Sequence, residues 1–206
     1  MNRLRQKYLG VRYVLDRILA AVILIVISPV LLIIALIVLC SSGQPVLFRQ
    51  QRIGRHGSIF LILKFRTMVK DAERIGGGYM PVGANLITPI GKLLRKTSLD
   101  ELPQLINIIR GDMALIGPRP SLVDQYQRYT AVQRRRVEVL PGVTGLAQVT
   151  FRNDAPWSKR IALDIEYIDR TNPVMDAKIL VRTLRKVFSG SGVLTDQTAD
   201  QVDDLG

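Results

Sequence analysis

The chain has 206 residues and a mass of 23.1 kDa, room for one domain and not comfortably for two. Twenty-nine Lys and Arg against 17 Asp and Glu give a net charge of +12, and 48 % of the residues are apolar, so the composition is not that of a disordered chain. A single cysteine, Cys40, excludes a disulfide framework and a multi-cysteine metal centre, and a single histidine, His56, excludes a poly-histidine metal site, so acid–base and nucleophilic chemistry falls mainly to carboxylates, Lys and Tyr.

The basic excess is uneven. Residues 41–136 hold sixteen basic residues against six acidic, whereas residues 137–206 are slightly acidic. An anionic membrane surface, a phosphorylated ligand or nucleic acid would answer that distribution, as would an ordinary solvated surface. Ile18 to Cys40 is a run of 23 residues in which only Ser28 and Pro29 fall outside the apolar set. As helix it would be about 34 Å long, enough for a bilayer core of about 30 Å. It is too long for a usual secretory signal, and Leu39-Cys40 lacks the small residue that cleavage requires. Pro29 removes a helical hydrogen bond mid-segment, and Ser28 can supply a side-chain oxygen or hydroxyl to the loosened backbone. Both flanks are basic, with Arg3, Arg5, Lys7, Arg12 and Arg17 before and Arg49, Arg52 and Arg55 after, whereas a spanning helix normally shows the excess on one side. The pattern favours a re-entrant membrane helix within residues 1–44, broken at Ser28-Pro29, with both ends on the cytoplasmic face. A kinked spanning helix is the alternative.

Short strands are expected at Val46–Phe48 and Ile59–Phe65, and Gly76-Gly77-Gly78 marks a loop. Leu102 to Ile109 reads as helix stopping at Gly111. Ser121, with Asp124 three residues on, has the form of a capping box, opening a helix through Arg134-Arg135-Arg136 to about Leu140. Asp164 to Asp169 is expected to be helical. From Pro173 to Phe188 apolar residues recur at helical spacing with Lys178, Arg182, Arg185 and Lys186 largely between them. Such a helix can lie in a headgroup layer or pack on a core. Residues 190–206 are small, polar and acidic, a tail with little fixed structure. The expected fold is α+β, mostly helical: a membrane-anchoring segment, a small domain over residues 45–189 at the membrane surface, and the tail.

No Gly-x-Gly-x-x-Gly fingerprint or P-loop is present. The most informative stretch is Leu93 to Ser121. Ser98 and Glu101 fit a capping box that would set Asp100 in the first turn of a helix, and Pro103 keeps the Asp-Glu pair near that end. Free N–H groups there favour carboxylates and phosphates, although acidic residues are also ordinary dipole partners at such positions. Gly117-Pro118-Arg119-Pro120 holds a guanidinium between two prolines, and a planar fork suits phosphate oxygens. Two helix starts, Arg119 and the basic 64–96 region would together make a diphosphate site. Asp100 beside them suits a divalent cation, since Mg²⁺ is usually held by one or two carboxylates plus substrate phosphates.

Lys64-Phe65-Arg66-Thr67-Met68, Arg95 to Leu105, Arg110-Gly111-Asp112-Met113, Gly117-Pro118-Arg119-Pro120 and Leu140-Pro141-Gly142-Val143-Thr144-Gly145-Leu146-Ala147-Gln148-Val149 together resemble the bacterial sugar transferases, the monotopic phosphoglycosyl transferases. The resemblance runs from about residue 11 to 188 and fits the minimal members, a catalytic domain with one re-entrant helix bearing a Ser-Pro break. It implies transfer of a phospho-sugar from a UDP-sugar to polyprenyl phosphate on the cytosolic face of the bacterial inner membrane. The products would be polyprenyl-diphosphate-sugar and UMP, the start of a surface glycan or glycoprotein oligosaccharide. It implies Mg²⁺, Asp100 as nucleophile and metal ligand, and Glu101 as an orienting group or a base. Lys64, Arg66, Arg95 and Arg119 would hold phosphates, Asp164 matches an acidic position for metal or substrate, and Gln148 and Arg152 would meet substrate. Many members carry Asn-Gly-Arg-Asn after Gln148-Val149, where this chain has Thr150-Phe151-Arg152-Asn153; if this loop meets the sugar, the preference of the commoner pattern is not to be assumed.

The competing class is a membrane-anchored basic binding module. Aromatics are only 6 % and no basic–aromatic alternation offers a base-stacking platform, so nucleic acid is not an expected partner. A fragment of a polytopic transferase is disfavoured by the single long apolar segment. A homodimer is left open.

Overall fold

The computed structural model describes residues 3–70, 72, 86–151, 155–188 and 204. Gly76-Gly77-Gly78, Arg152, Asn153 and all of the expected tail except Asp204 lie outside them. The architecture is mostly helical with two small sheets.

Helix α1 runs from Arg3 to Ser42 with Pro29 inside it, and helical residues continue on both sides of the proline. The sequence suggests a break there, and the side chain before the proline explains the continuity. Pro29 has no N–H to offer Ile25, and the Ser28 hydroxyl donates to the Ile25 carbonyl instead, at 2.8 Å. The helix is long and apolar enough to cross a membrane, and most of its apolar segment faces outward.

Its other face packs on the domain along nearly its whole length. Leu9 joins Ile116, Val139, Tyr167 and Ile179; Ala20 joins Phe60, Ile62, Leu105 and Ile108; Ile34 and Val38 join Phe65 and Leu94. Arg12, expected in the basic flank, is buried. It donates to Asp176 Oδ2 at 2.7 Å, to the Ile116 carbonyl at 2.8 Å and to the Tyr167 hydroxyl, while Asp16 accepts from Leu115 N–H. A buried guanidinium is tolerable only when paired in this way.

Strands β1 (Leu47–Ile53) and β2 (Ile59–Phe65) form an antiparallel hairpin, with β1 longer than the sequence suggests. Helix α2 (Pro89–Lys96) is capped by Thr88, whose hydroxyl accepts from Gly91 N–H. A tight turn, Leu99–Glu101, leads into α3 (Gln104–Arg110), which ends at Gly111 with φ 87°. Strand β3 (Ala114–Ile116) pairs in parallel with β4 (Gly142–Thr144).

The helix expected from Ser121 to Leu140 is instead two short pieces, α4 (Val123–Gln127) and a 3₁₀ segment Gln133–Glu138. Ser121 is no cap: its buried hydroxyl meets Tyr129 and Arg136. Helices α5 (Leu146–Thr150), α6 (Trp157–Arg170) and α7 (Pro173–Phe188) complete the domain. Helix α7 packs on the core through Asp176 and Ile179 and leaves Val174, Val181, Leu184 and Val187 exposed.

Candidate active site

The Asp100-Glu101 pair lies on the Leu99–Glu101 turn, not in the first turn of an α-helix. Ser98 adopts φ 57° and makes no side-chain cap, so the expected capping box does not form. The turn is fixed from three sides. Leu99 packs with the cluster of Ile34, Val38 and Phe65. Arg95, at the end of α2, donates from Nε to Thr67 Oγ1 at 2.9 Å. On α3, Asn107 is 0 % exposed; its Oδ1 accepts from Leu63 N–H at 3.1 Å and its Nδ2 donates to the Leu61 carbonyl at 2.8 Å. One side-chain amide thereby satisfies the free edge of β2 and fixes the distance between that strand and the turn.

The ionic pattern follows. Lys64 Nζ, from β2, contacts Glu101 Oε1 at 2.6 Å, and both Arg119 Nη atoms approach the same oxygen at 3.4 Å. Arg119 comes from the loop after β3. That loop is clamped: Gly142 N–H donates to the Pro118 carbonyl at 2.9 Å, and a Cβ on Gly117 would lie 2.4 Å from the Leu140 carbonyl, which requires glycine. Arg136 Nη2 donates to the Arg119 carbonyl at 2.9 Å, and Arg52 Nη1 to the Pro120 carbonyl at 3.1 Å. The Arg119 side chain stays 43 % exposed, available to a ligand.

Asp100 differs from its neighbour. It is 7 % exposed, and its carboxylate has no hydrogen bond or ion pair among the described residues. Burial pushes its pKa up to about 6; the Glu101 charge adds to this, while Lys64, Arg95 and Arg119 oppose it. Burial alone would raise Glu101 too, but Lys64 and Arg119 outweigh it and bring it down to about 2. Glu101 is thus a fixed anion engaged with two cations, and Asp100 is an unengaged carboxylate still mostly ionised at neutral pH. Burial also lowers the Lys64 pKa, against the pull of Glu101. Three cations against two carboxylates leave a site suited to phosphate oxygens.

The structure brings together five of the residues expected from sequence: Lys64, Arg95, Asp100, Glu101 and Arg119. Arg66 and Asp164 are occupied otherwise. Arg66, expected at substrate, is buried and donates from Nη2 to the Ser42 and Gly43 carbonyls, capping α1. Helix ends leave such carbonyls unpaired, so a buried guanidinium is satisfied there in part. Asp164, expected at metal or substrate, is buried and paired with Arg136 at 2.7 Å, supporting the Arg119 loop from behind. Gln148 lies on α5, with both side-chain amide atoms buried and without partners among the described residues. Among the described residues no group of three or more potential metal ligands exists. A hard cation here would take Asp100 and substrate oxygens.

Sequence reasoning missed Asn107 and Arg136. Asn107 had a signal, one amide inside the apolar run Leu105-Ile106-Asn107-Ile108-Ile109. Arg136 had none, since it sits in a triple of arginines whose neighbour Arg134 is exposed.

A carboxylate without partners among the described residues, set among cations beside an outward-facing apolar helix, makes an arrangement suited to phosphate groups, on a chain with one helix long and apolar enough for a membrane anchor. The chain belongs to the bacterial sugar transferase family, whose pattern it matches over residues 7–190. It is 43 % identical over 175 residues to the uncharacterized sugar transferase EpsL of Bacillus subtilis, spanning 84 % of this chain and 86 % of that one. It is 40 % identical over 184 residues to a UDP-glucose:undecaprenyl-phosphate glucose-1-phosphate transferase of Caulobacter vibrioides, covering 85 % of this chain and 69 % of the relative. The Escherichia coli transferase of the same name is 40 % identical over 182 residues, and there the match spans only 39 % of the relative's length. The chain is therefore a sugar-phosphate transferase.

Proposed function

We propose that the chain transfers a phospho-sugar from a UDP-sugar to polyprenyl phosphate, yielding polyprenyl-diphosphate-sugar and UMP, and so starts assembly of a membrane glycoconjugate. The observation that carries this reading is the unengaged Asp100 carboxylate among Lys64, Arg95 and Arg119, with Glu101 beside it held in ion pairs. In the first half, an Asp100 oxygen forms a bond to the sugar-bearing phosphorus and the bond to the UMP oxygen breaks. In the second, an oxygen of polyprenyl phosphate attacks that phosphorus and Asp100 leaves. UMP departs as an anion and needs no proton. A phosphate monoester has its second pKa near 6, so the acceptor is largely dianionic at neutral pH. No strong base is needed. That suits Glu101 as the group that aims Lys64 and Arg119, and with its pKa near 2 it makes a poor base.

Mg²⁺ fits the donor set: one carboxylate oxygen donor free of partners, next to where phosphates would bind. Held by Asp100 and the diphosphate, it would supply charge neutralisation to the departing UMP.

The reading includes a re-entrant anchor with the domain at the cytosolic face of the inner membrane. Residues on both sides of Pro29 pack on one domain: Leu9, Ala20 and Leu24 before, Ile34 and Val38 after. A spanning helix would carry its two ends to opposite sides of a core about 30 Å thick. The two basic flanks and the Ser28-Pro29 pair support entry and exit on the same side, and contact of residues before and after Pro29 with one domain is compatible with it.

The test is a burst experiment. Enzyme given UDP-sugar and Mg²⁺ without acceptor should release about one UMP per site. Its mass should rise by the phospho-sugar on the peptide holding Asp100, and added UMP should reverse this. No burst and no adduct, in enzyme that turns over with acceptor, would leave Asp100 without a covalent role. A screen of UDP-sugars in the same assay identifies the sugar.

A further inference from the structure

A groove of about 270 Å³ runs between α5 and α7, away from the Asp100 cluster. Its apolar lining is Leu146, Val174, Met175 and Ile179, and its charged lining is Lys178 and Arg182. Lys178 and Arg182 are one helical turn apart on α7, both exposed, and neither has a hydrogen bond or ion pair among the described residues. Two like charges side by side repel mildly, and an anion between them would relieve both. The groove floor belongs to the cluster that also holds Leu9 and Tyr8, near the start of α1. Val181, Leu184 and Val187 continue an exposed apolar stripe along α7.

We propose that this groove binds one anionic phospholipid of the membrane, with an acyl chain against Leu146, Val174, Met175 and Ile179 and the headgroup phosphate between Lys178 and Arg182. Lipid occupancy rests on the membrane reading above and not on the transfer chemistry. The apolar floor suits a hydrocarbon chain and the rim an anion, so a free phosphate answers only the rim, while a zwitterionic lipid brings beside its phosphate a cation that Lys178 and Arg182 repel and an anionic lipid does not. The groove is contiguous with the packed core beneath α7. Occupancy would therefore orient α7, whose Lys186 holds the Gln148 carbonyl at 3.0 Å and so the end of α5.

The test is native mass spectrometry of the full chain in detergent, with equal amounts of phosphatidylglycerol and phosphatidylcholine of the same acyl length. One phosphatidylglycerol per chain should be retained, at least about tenfold over phosphatidylcholine. Lys178→Ala with Arg182→Ala should remove that preference. Val174→Trp, which narrows the groove and keeps both charges, should also lower retention, and glycerophosphoglycerol without acyl chains should not bind. Equal retention of the two lipids, an unchanged preference in the double variant, or equal binding of the chain-free headgroup would each overturn the proposal. Displacement of the lipid by stoichiometric polyprenyl phosphate would overturn it as well, assigning the groove to the acceptor. Binding is read without turnover, so failure of the proposed reaction would leave these outcomes unaffected. Vesicle flotation tests the membrane reading separately.

Discussion

Replacing Asp100 by Asn should abolish turnover and, at pH 8, make the folded chain more stable. Burial holds the Asp100 pKa near 6 in the fold, against its ordinary 3.8. The folded chain therefore keeps this proton to a higher pH than the unfolded chain does. What Asp100 contributes to stability is intact below about pH 4 and is lost as pH rises through 6. About two pKa units correspond to roughly 3 kcal/mol. The attraction of Lys64, Arg95 and Arg119 is already contained in that net value. The amide escapes the penalty but brings an NH₂ group among three cations, which costs about 1–2 kcal/mol for want of acceptors. A net gain of about 1–2 kcal/mol remains, or about 3–6 °C in Tm for a chain of this size. The assay is thermal unfolding followed by the fluorescence of Trp157, the single tryptophan, in one detergent at pH 4.5, 6 and 8. The variant's advantage should grow with pH. A lower Tm than wild type at pH 8, or an offset identical at all three values, would refute the assignment of Asp100 as a buried, unengaged carboxylate.

Glu101→Gln should act in the opposite direction. Its pKa is held near 2, so its contribution is present above its ordinary 4.5 and lost as pH falls through 2; the variant should lose about 2–3 kcal/mol at neutral pH, read by thermal unfolding, and at least about 100-fold in kcat. Asp164→Asn leaves Arg136 buried without its partner and should cost about 3–5 kcal/mol. Because Arg136 also holds the Arg119 carbonyl, the KM for UDP-sugar should rise in steady-state assays. Ser28→Ala should lower Tm measurably in the wild-type background and much less in Pro29→Ala, because only with Pro29 does the Ile25 carbonyl depend on the Ser28 hydroxyl; the coupling in a double-mutant cycle should be about 1 kcal/mol.

The long apolar helix, the Ile59–Phe65 strand, the Gly111 stop and the last helix were all legible, because each depends on a local pattern: a long apolar run, a short run rich in Ile, Leu and Phe, a left-handed glycine, a 3.6-residue period. So was the core of the site. Lys64, Asp100, Glu101 and Arg119 are spread over 56 positions, and it was their joint occurrence in motifs that linked them. The failures share one cause. Ser98-Glu101 and Ser121-Asp124 have the spacing of capping boxes, but tertiary contacts claim those residues: Glu101 goes to Lys64 and Arg119, and Ser121 to Tyr129 and Arg136. Arg66 and Arg12 read as free cations because a guanidinium carries no mark of burial. Each is committed to an acceptor far along the chain, Arg66 to Ser42 and Gly43, Arg12 to Asp176.

The stretch from Lys64 to Arg66 shows how one strand end can serve an enzyme that must work at a fixed height. Lys64 pairs with Glu101, Phe65 packs against Ile34 and Val38 of the anchor, and Arg66 closes the anchor's last carbonyls. From the other direction Leu99, next to Asp100, packs on the same anchor residues. The carboxylate pair is therefore joined to the apolar helix through packed side chains, with no intervening linker. A packed contact transmits position with little play, because interiors are dense and moving them opens voids. A flexible tether several residues long would let the domain wander by many ångströms. If, as proposed, the acceptor phosphate stays in the headgroup plane and attacks at Asp100, that difference sets how often the two meet in a reactive geometry, where much of a transferase's rate enhancement arises. Burying Phe65 against the helix and committing Arg66 to its last carbonyls gives this joint that packed character.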